Sequence, residues 1–202
     1  VPVPPFTYNT LLANMGQMTN SGFEIGVRGD IIRTKDFTFN SGLNLSFQQN
    51  KLNTLSGTYK GQALTTSEHI AVANINAAGL TQNTGVTYLI EGQPIGVFYL
   101  PHCEGINANG QYIITDLDKN GTIDTGDSGD RYVCGQAIPK AYLGWDFTFK
   151  YKNWDLAMQF NGAFGHKIYN GTGMTYSNMN NFPTYNVLAD APEKGIKDIQ
   201  IS

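Results

Sequence analysis

The sequence predicts an all-β chain, an antiparallel transmembrane β-barrel segment of two long hairpins with long structured loops at one end and one short helix. Three observations predict it. Apolar side chains recur at every second position over two pairs of segments, each segment about ten residues long, which suits a tilted membrane-crossing strand better than a soluble one of about 5 to 6 residues. The turn inside each pair is two or three residues, whereas about 90 residues separate the pairs, the asymmetry of short inner turns and long outer loops. Trp and Tyr gather toward segment ends, and the face opposite the apolar one carries Asn, Gln, Thr, Ser, Gly and charges, as a wetted lumen requires.

The first pair opens with Phe23, Ile25, Val27, Gly29 and Ile31 on one face and Glu24, Gly26, Arg28 and Asp30 on the other. After the polar break Thr34, Lys35, Asp36 it returns as Phe37, Phe39, Ser41, Leu43, Leu45 and Phe47, the pattern of a tightly turned hairpin. The second pair runs Leu143, Trp145, Phe147, Phe149, Tyr151, turns at Lys152-Asn153, and returns as Trp154, Leu156, Met158, Phe160, Gly162, Phe164. These segments divide the chain into a lead-in over 1–21, barrel hairpins over 22–48 and 142–165, a long external loop over 49–141 and a second irregular external stretch over 166–202. A soluble antiparallel sheet with one wetted face gives the same alternation. The second reading is therefore a soluble extracellular calcium-stabilised β-domain that binds glycans, which requires Phe37, Leu45, Phe147 and Phe160 to pack into one closed core.

Composition narrows the function. Thirteen Lys plus Arg against sixteen Asp plus Glu give a net charge of -3 over 202 residues, which offers no phosphate-neutralising stripe and argues against nucleic acid. Aromatics at 12% are too many for a disordered chain. The longest apolar run is the four residues Ile70 to Ala73, against about 18 for a helical span; a mean hydropathy of -0.26 is compatible with alternating strands. The chain starts at Val1 without a basic-then-apolar leader, as expected of a mature product or a piece of something longer.

Within the 49–141 loop, Thr65 and Glu68 have the spacing of a capping box, which predicts a short helix over Ser67 to Ala78 closed by Gly79. Val86 to Glu91 and Gly110 to Thr115 read as strands. The sharpest motif follows them: Asp116, Asp118, Asn120, Gly121, Thr122, Asp124 and Asp127 place oxygen ligands at positions 1, 3, 5, 7, 9 and 12 of an EF-hand-type loop, with Gly at 6. Alternate short carboxylates face one concavity, and the Thr122 carbonyl adds a ligand, so the loop is expected to hold Ca2+. Position 12 is Asp where Glu is usual, and the preceding segment reads as strand, so a metal-free Asx-rich turn is the competing reading.

Other signals are weaker. Cys103 and Cys134 are too far apart for a CxxC motif and either pair as a disulfide or stay free. Gly126-Asp127-Ser128-Gly129 copies the string around a serine-protease nucleophile, but His69, His102 and His166 are scattered and Asp127 belongs to the calcium pattern. No GxGxxG, Walker or HExxH motif occurs. Asn44, Asn120 and Asn170 begin N-x-S/T sequons, the first on a strand and the second in the Asp-rich loop. No catalytic constellation emerges, and the chain is expected not to be an enzyme.

Several strings taken together carry a likeness. The order Asn14, Gly16, Met18, Asn20, Gly22, Glu24, then Glu91-Gly92-Gln93-Pro94-Ile95-Gly96 with Phe98-Tyr99, then Asp130-Arg131, Gly135, Pro139, Gly144, Tyr151-Lys152-Asn153, Gly162 and Ile168-Tyr169-Asn170 resembles the SusC/RagA family of TonB-linked outer-membrane proteins of Bacteroidetes. The resemblance implies an outer-membrane location and a C-terminal part of a longer chain, whose complete barrel of about 22 strands encloses an N-terminal plug. It also implies import of oligosaccharides or peptides, a SusD-type surface lipoprotein as lid, contact with outer-membrane lipid, and energy from the TonB complex through a plug region matched by nothing here. Cys103 and Cys134 lie outside the family pattern.

Overall fold

The computed structural model describes residues 16–64, 66–74, 85–124, 126 and 129–197. In chain order the strands are β1 (Gln17–Arg33), β2 (Phe37–Thr54), β3 (Gly57–Tyr59), β4 (Gln62–Leu64), β5 (His69–Asn74), β6 (Gly85–Ile90), β7 (Val97–Pro101), β8 (Cys103–Ile106), β9 (Tyr112–Ile114), β10 (Arg131–Gln136), β11 (Ala141–Tyr151) and β12 (Trp154–Phe164). Two short α-helices, α1 (Gly171–Tyr176) and α2 (Ala191–Lys194), flank a 3-10 turn at Met179–Asn181. Two sheets of four strands carry the architecture, one of order β1-β2-β11-β12 and one of order β10-β7-β6-β5. We call the first the wall and the second the head.

The wall is antiparallel throughout, and its register joins the expected apolar positions into rows. Val27 lies opposite Leu43, Leu43 opposite Trp145, and Trp145 opposite Phe160. Nearer the short turns, Phe37 faces Tyr151 and Tyr151 faces Trp154. Phe39 stacks on Phe149 at 4.4 Å and 7°, and Phe23 on Phe47 at 4.8 Å, contacts worth about 1 kcal/mol each beyond area burial. This face is open: Trp154 is 80% exposed, Val27 66% and Phe160 46%. Phe37, Leu45, Phe147 and Phe160 share it and close no core of their own. Eleven residues of β11 span about 36 Å along the strand, or about 28 Å at the tilt usual for such strands, near the ~25 Å apolar band of an outer-membrane barrel. Ser41 interrupts the apolar face, and its hydroxyl accepts the Trp145 indole N–H at 2.9 Å.

One register detail departs from strict alternation. Asp30 pairs with Asn40 but Ile32 with Phe39, so Ile31 is the extra residue of a β-bulge and Ile32 continues the apolar row beside it. The two short turns are tied together, the Lys152 N–H donating to the Asp36 carbonyl at 2.9 Å.

The helix expected over Ser67 to Ala78 is not formed where the structure describes it. His69–Asn74 is strand β5, paired with β6; β-branched Ile70 and Val72 fit a pleated surface, and the sheet supplies partners a lone helical turn lacks. Thr65 and residues 75–79 lie outside the described residues. Helices occur instead after β12, where the Asn170 side chain caps α1 by accepting from the Gly173 N–H at 2.7 Å and Gly195, at φ +64°, closes α2.

The head has the buried apolar residues Tyr88, Val97, Phe98 and Tyr99. It stands on an extension of the first hairpin. Ala141 pairs with Phe47, yet β2 continues to Thr54, beyond the end of β11. The β6–β7 turn docks on that extension: the Leu52 N–H donates to Gln93 O at 2.9 Å and the Gly92 N–H to Leu52 O at 2.7 Å.

Candidate functional site

Among the described residues, the Asp-rich loop between β9 and β10 and the joint between head and wall gather polar chemistry outside the wall. In the loop, oxygens of Asp116, Asp118 and Asp130 lie within 4.8 Å of one another. Lys119 at φ +59° and Gly121 at φ +84° make the tight reversal that turns Asp116 and Asp118 to the same side. The Gly121 N–H donates to Asp116 Oδ2 at 2.8 Å and the Asn120 N–H to Asp118 Oδ1 at 3.0 Å, the Asx-turn bonding expected of such a sequence.

Asp130 organises the loop. It is 1% exposed and accepts from the N–H of Leu117 at 2.7 Å and of Asp124 at 2.9 Å. The bond from the Asp124 amide, ahead of those from Leu117 and Asp118, holds its carboxyl below the usual carboxylate range against the opposing effect of burial. The next residue, Arg131, is buried and donates to the Tyr88 hydroxyl at 3.2 Å and to the Tyr99 carbonyl at 3.4 Å. The loop is thereby fastened to the head's core.

The structure thus brings Asp116 and Asp118 together with Asp130 rather than with Asp124, whose Oδ1 instead accepts from the Gly126 N–H at 2.8 Å. The Asn120 Oδ1 accepts from the Thr122 N–H at 2.7 Å. Asp127 lies outside the described residues. Spacing reasoning missed Asp130 because an EF-hand template stops at position 12; the surplus of acids running on to 130 was the available signal. Three hard carboxylates around one concavity are a donor set suited to Ca2+.

At the joint, Glu91 Oε1 accepts from the Leu55 N–H at 2.6 Å and from Thr54 Oγ1 at 3.1 Å. The first of these bonds is the main reason its carboxyl lies below the usual range. Asn50, itself buried, accepts from the Ile95 N–H at 2.7 Å. The Glu91-Gly92-Gln93-Pro94-Ile95 string is therefore the fastening between head and wall.

Both cysteines are free thiols. Cys134 is the extra residue of a bulge in β10, between Val133 opposite Tyr99 and Gly135 opposite Phe98. Cys103 lies past the end of β7 and pairs with Ile114 in the separate β8–β9 sheet. Burial pushes the Cys134 thiol above its ordinary value, only partly offset by Lys167.

On the wall's polar face, Arg28 reaches Asp146 at 2.5 Å although β2 lies between their strands. Gly42 makes the reach possible, since a Cβ there would stand 2.7 Å from Arg28 Nη2 and 2.9 Å from Asp146 Oδ1.

No family model matches the chain. Along its whole length it is 24% identical to TonB-dependent receptor P3 of Formosa agariphila, and over 98% of it 29% identical to TonB-dependent receptor P26 of the same organism. Over 77% of its length it is 26% identical to the TonB-dependent receptor SusC of Bacteroides thetaiotaomicron. It spans 21%, 20% and 15% of these relatives, which bear the names of receptors and not of enzymes. In fold, 82% of the chain superposes on 17% of a chain of the RagAB peptide transporter with a TM-score of 0.57 at 18% identity. The RagAB peptide importer in its closed-closed state gives 0.59 at 16%, with the same coverage. The chain is thus similar in sequence to a section of TonB-dependent receptors, SusC among them, and in fold to a section of a RagAB chain, likenesses that go with a place in the outer membrane.

Proposed function

We propose that the protein containing this segment imports oligosaccharides or peptides across the outer membrane, powered through TonB and capped by a SusD-type surface lipoprotein. In this reading the segment supplies barrel wall and external head, with no catalysis. The observation that carries it is the two-faced wall: four strands long enough to cross a bilayer, apolar and exposed on one side, polar and ion-paired on the other, in a chain similar to TonB-dependent receptors. The fold likeness to a peptide transporter and the sequence likeness to SusC support an importer. The experiment is uptake by cells that produce the full-length receptor: accumulation of labelled oligosaccharide or peptide is expected to cease on deletion of its gene or of TonB. Undiminished accumulation in both strains would end the importer reading.

We also propose that the Asp-rich loop binds one Ca2+ through Asp116, Asp118 and Asp130, stiffening the external loop without entering transport chemistry. Calorimetric titration of the full-length receptor is expected to give a single Ca2+ site that disappears when Asp116→Ala and Asp118→Ala are combined. No heat with the wild type would leave a metal-free Asx turn.

A further inference from the structure

Charge is divided unequally between the wall's two faces. All four carboxylates of its strands, Glu24, Asp30, Asp146 and Asp155, stand on the polar face with Arg28, Arg33 and Lys150. On the apolar face these strands place one charged side chain, Lys51, two pleats beyond Phe47 at the head end of β2, where it pairs with Thr19. Burial alternates along β2 there: Asn50 and Leu52 are covered, whereas Gln49 and Lys51 are exposed. The head therefore closes over one side of the strand and leaves the other bare. Beside the bare side lies a cleft of about 520 Å³ whose lining includes Phe23, Phe47, Gln49, Pro94 and Lys140. Neither Lys51 nor Lys140 has an ion pair among the described residues.

We propose that this corner seats the phosphate headgroup of an outer-leaflet lipid between Lys51 and Lys140, with an acyl chain lying over the rings of Phe23 and Phe47. The inference rests on the reading of the wall as bilayer-spanning and of the head as external. A bilayer-facing wall touches lipid everywhere; this corner differs because its chemistry changes over a short distance. Phe23 and Phe47, stacked at 4.8 Å, form the last aromatic row before the head, and the next row on that face is Ser21 and Gln49. Lys51 follows four residues after Phe47, about 13 Å along the strand and about 9 Å along the membrane normal at the usual tilt. Its apolar stem reaches back toward the acyl chains while the ammonium stays among the headgroups. Two ammonium groups and the Gln49 amide are donors for phosphate oxygens. No carboxylate of the wall strands shares the face to repel an anion.

The test uses the full-length receptor, purified in a neutral detergent and freed of bound lipid. Native mass spectrometry follows the addition of monophosphoryl lipid A, of the same lipid without its phosphate, or of inorganic phosphate. One monophosphoryl lipid A is expected to stay bound, about tenfold or more tightly than the phosphate-free lipid, and inorganic phosphate in large excess is expected not to displace it. Lys51→Gln with Lys140→Gln should weaken the binding about ten- to a hundredfold, the loss of one or two charge-assisted hydrogen bonds, and Lys51→Arg with Lys140→Arg should retain it. Lys150→Gln, on the polar face near the short turns, should leave it unchanged, and heat-modifiable gel mobility reports whether each variant barrel is assembled. Equal binding of the two lipids, displacement by inorganic phosphate, or undiminished binding to the assembled glutamine double variant overturns the proposal. A receptor that imports in the uptake experiment and retains no lipid A overturns the headgroup site alone and leaves the import reading intact.

Discussion

Single glycines in the wall do two different jobs, and a methyl group separates them. A Cβ on Gly22 would stand 2.4 Å from the backbone carbonyl of Phe47, an atom the sheet holds in place. Gly22→Ala is expected to cost about 1 to 3 kcal/mol through overpacking and to lower the yield of heat-modifiable, assembled receptor in the membrane fraction. At Gly42 the near atoms are the tips of Arg28 and Asp146, which can swing away. Gly42→Ala should assemble normally and only part the ion pair, an exposed contact worth at most about 1 kcal/mol. Neither role was legible in the sequence, where Gly22 stood only in the string that carries the family likeness and nothing marked Gly42. Asp130 was hidden differently: its carboxylate serves amides 6 to 13 positions earlier in the chain, a closure no local spacing template contains.

Among elements, the long strands were the legible part, because a period of two over ten residues leaves one solution for which side faces which solvent. The turns at 34–36 and 152–153 followed from the same pattern. The bulge at Ile31 did not, since the extra residue is itself an isoleucine followed by another, which keeps an apolar side chain in either register and hides the shift. The segment after Thr65 was misread as helix because capping signals are weak against a neighbouring strand that offers a full ladder of bonds. The joint was visible as a string of residues, Glu91 to Gly96, but its partner on β2 was not. Its chemistry makes a pH prediction. Glu91 and Asp130 both have carboxyls held low in the folded state, so their stabilisation is fully present above the unfolded carboxylate value, about 4, and is lost as pH falls through the lower folded value. Protection of the Leu55 amide, the slowing of its exchange relative to the intrinsic rate at each pH, is expected to hold above the unfolded carboxylate value and to fall as pH drops through the lower folded value. Glu91→Ala should lower it at neutral pH, whereas Glu91→Gln, which keeps an acceptor oxygen, should restore it and remove the acid dependence.

For the molecule as a whole, β1 and β12 leave two open sheet edges among the described residues, and there the apolar face lies bare from Phe23 to Phe164. A polypeptide of these 202 residues alone is expected to aggregate in detergent-free buffer, as sedimentation would report; a monodisperse species with a cooperative melt would favour the soluble-domain reading. The strand β2 belongs to both bodies at once. Its early residues share a ladder with the bilayer-spanning strands, and its last ones, Asn50 to Thr54, are gripped by the head. A mast fixed in that way cannot lean at its foot and stay upright at its top. Any movement that tilts β2 is therefore expected to carry the head sheet with it, Asp-rich loop included, because the same strand is laddered into the wall and bonded to the β6–β7 turn.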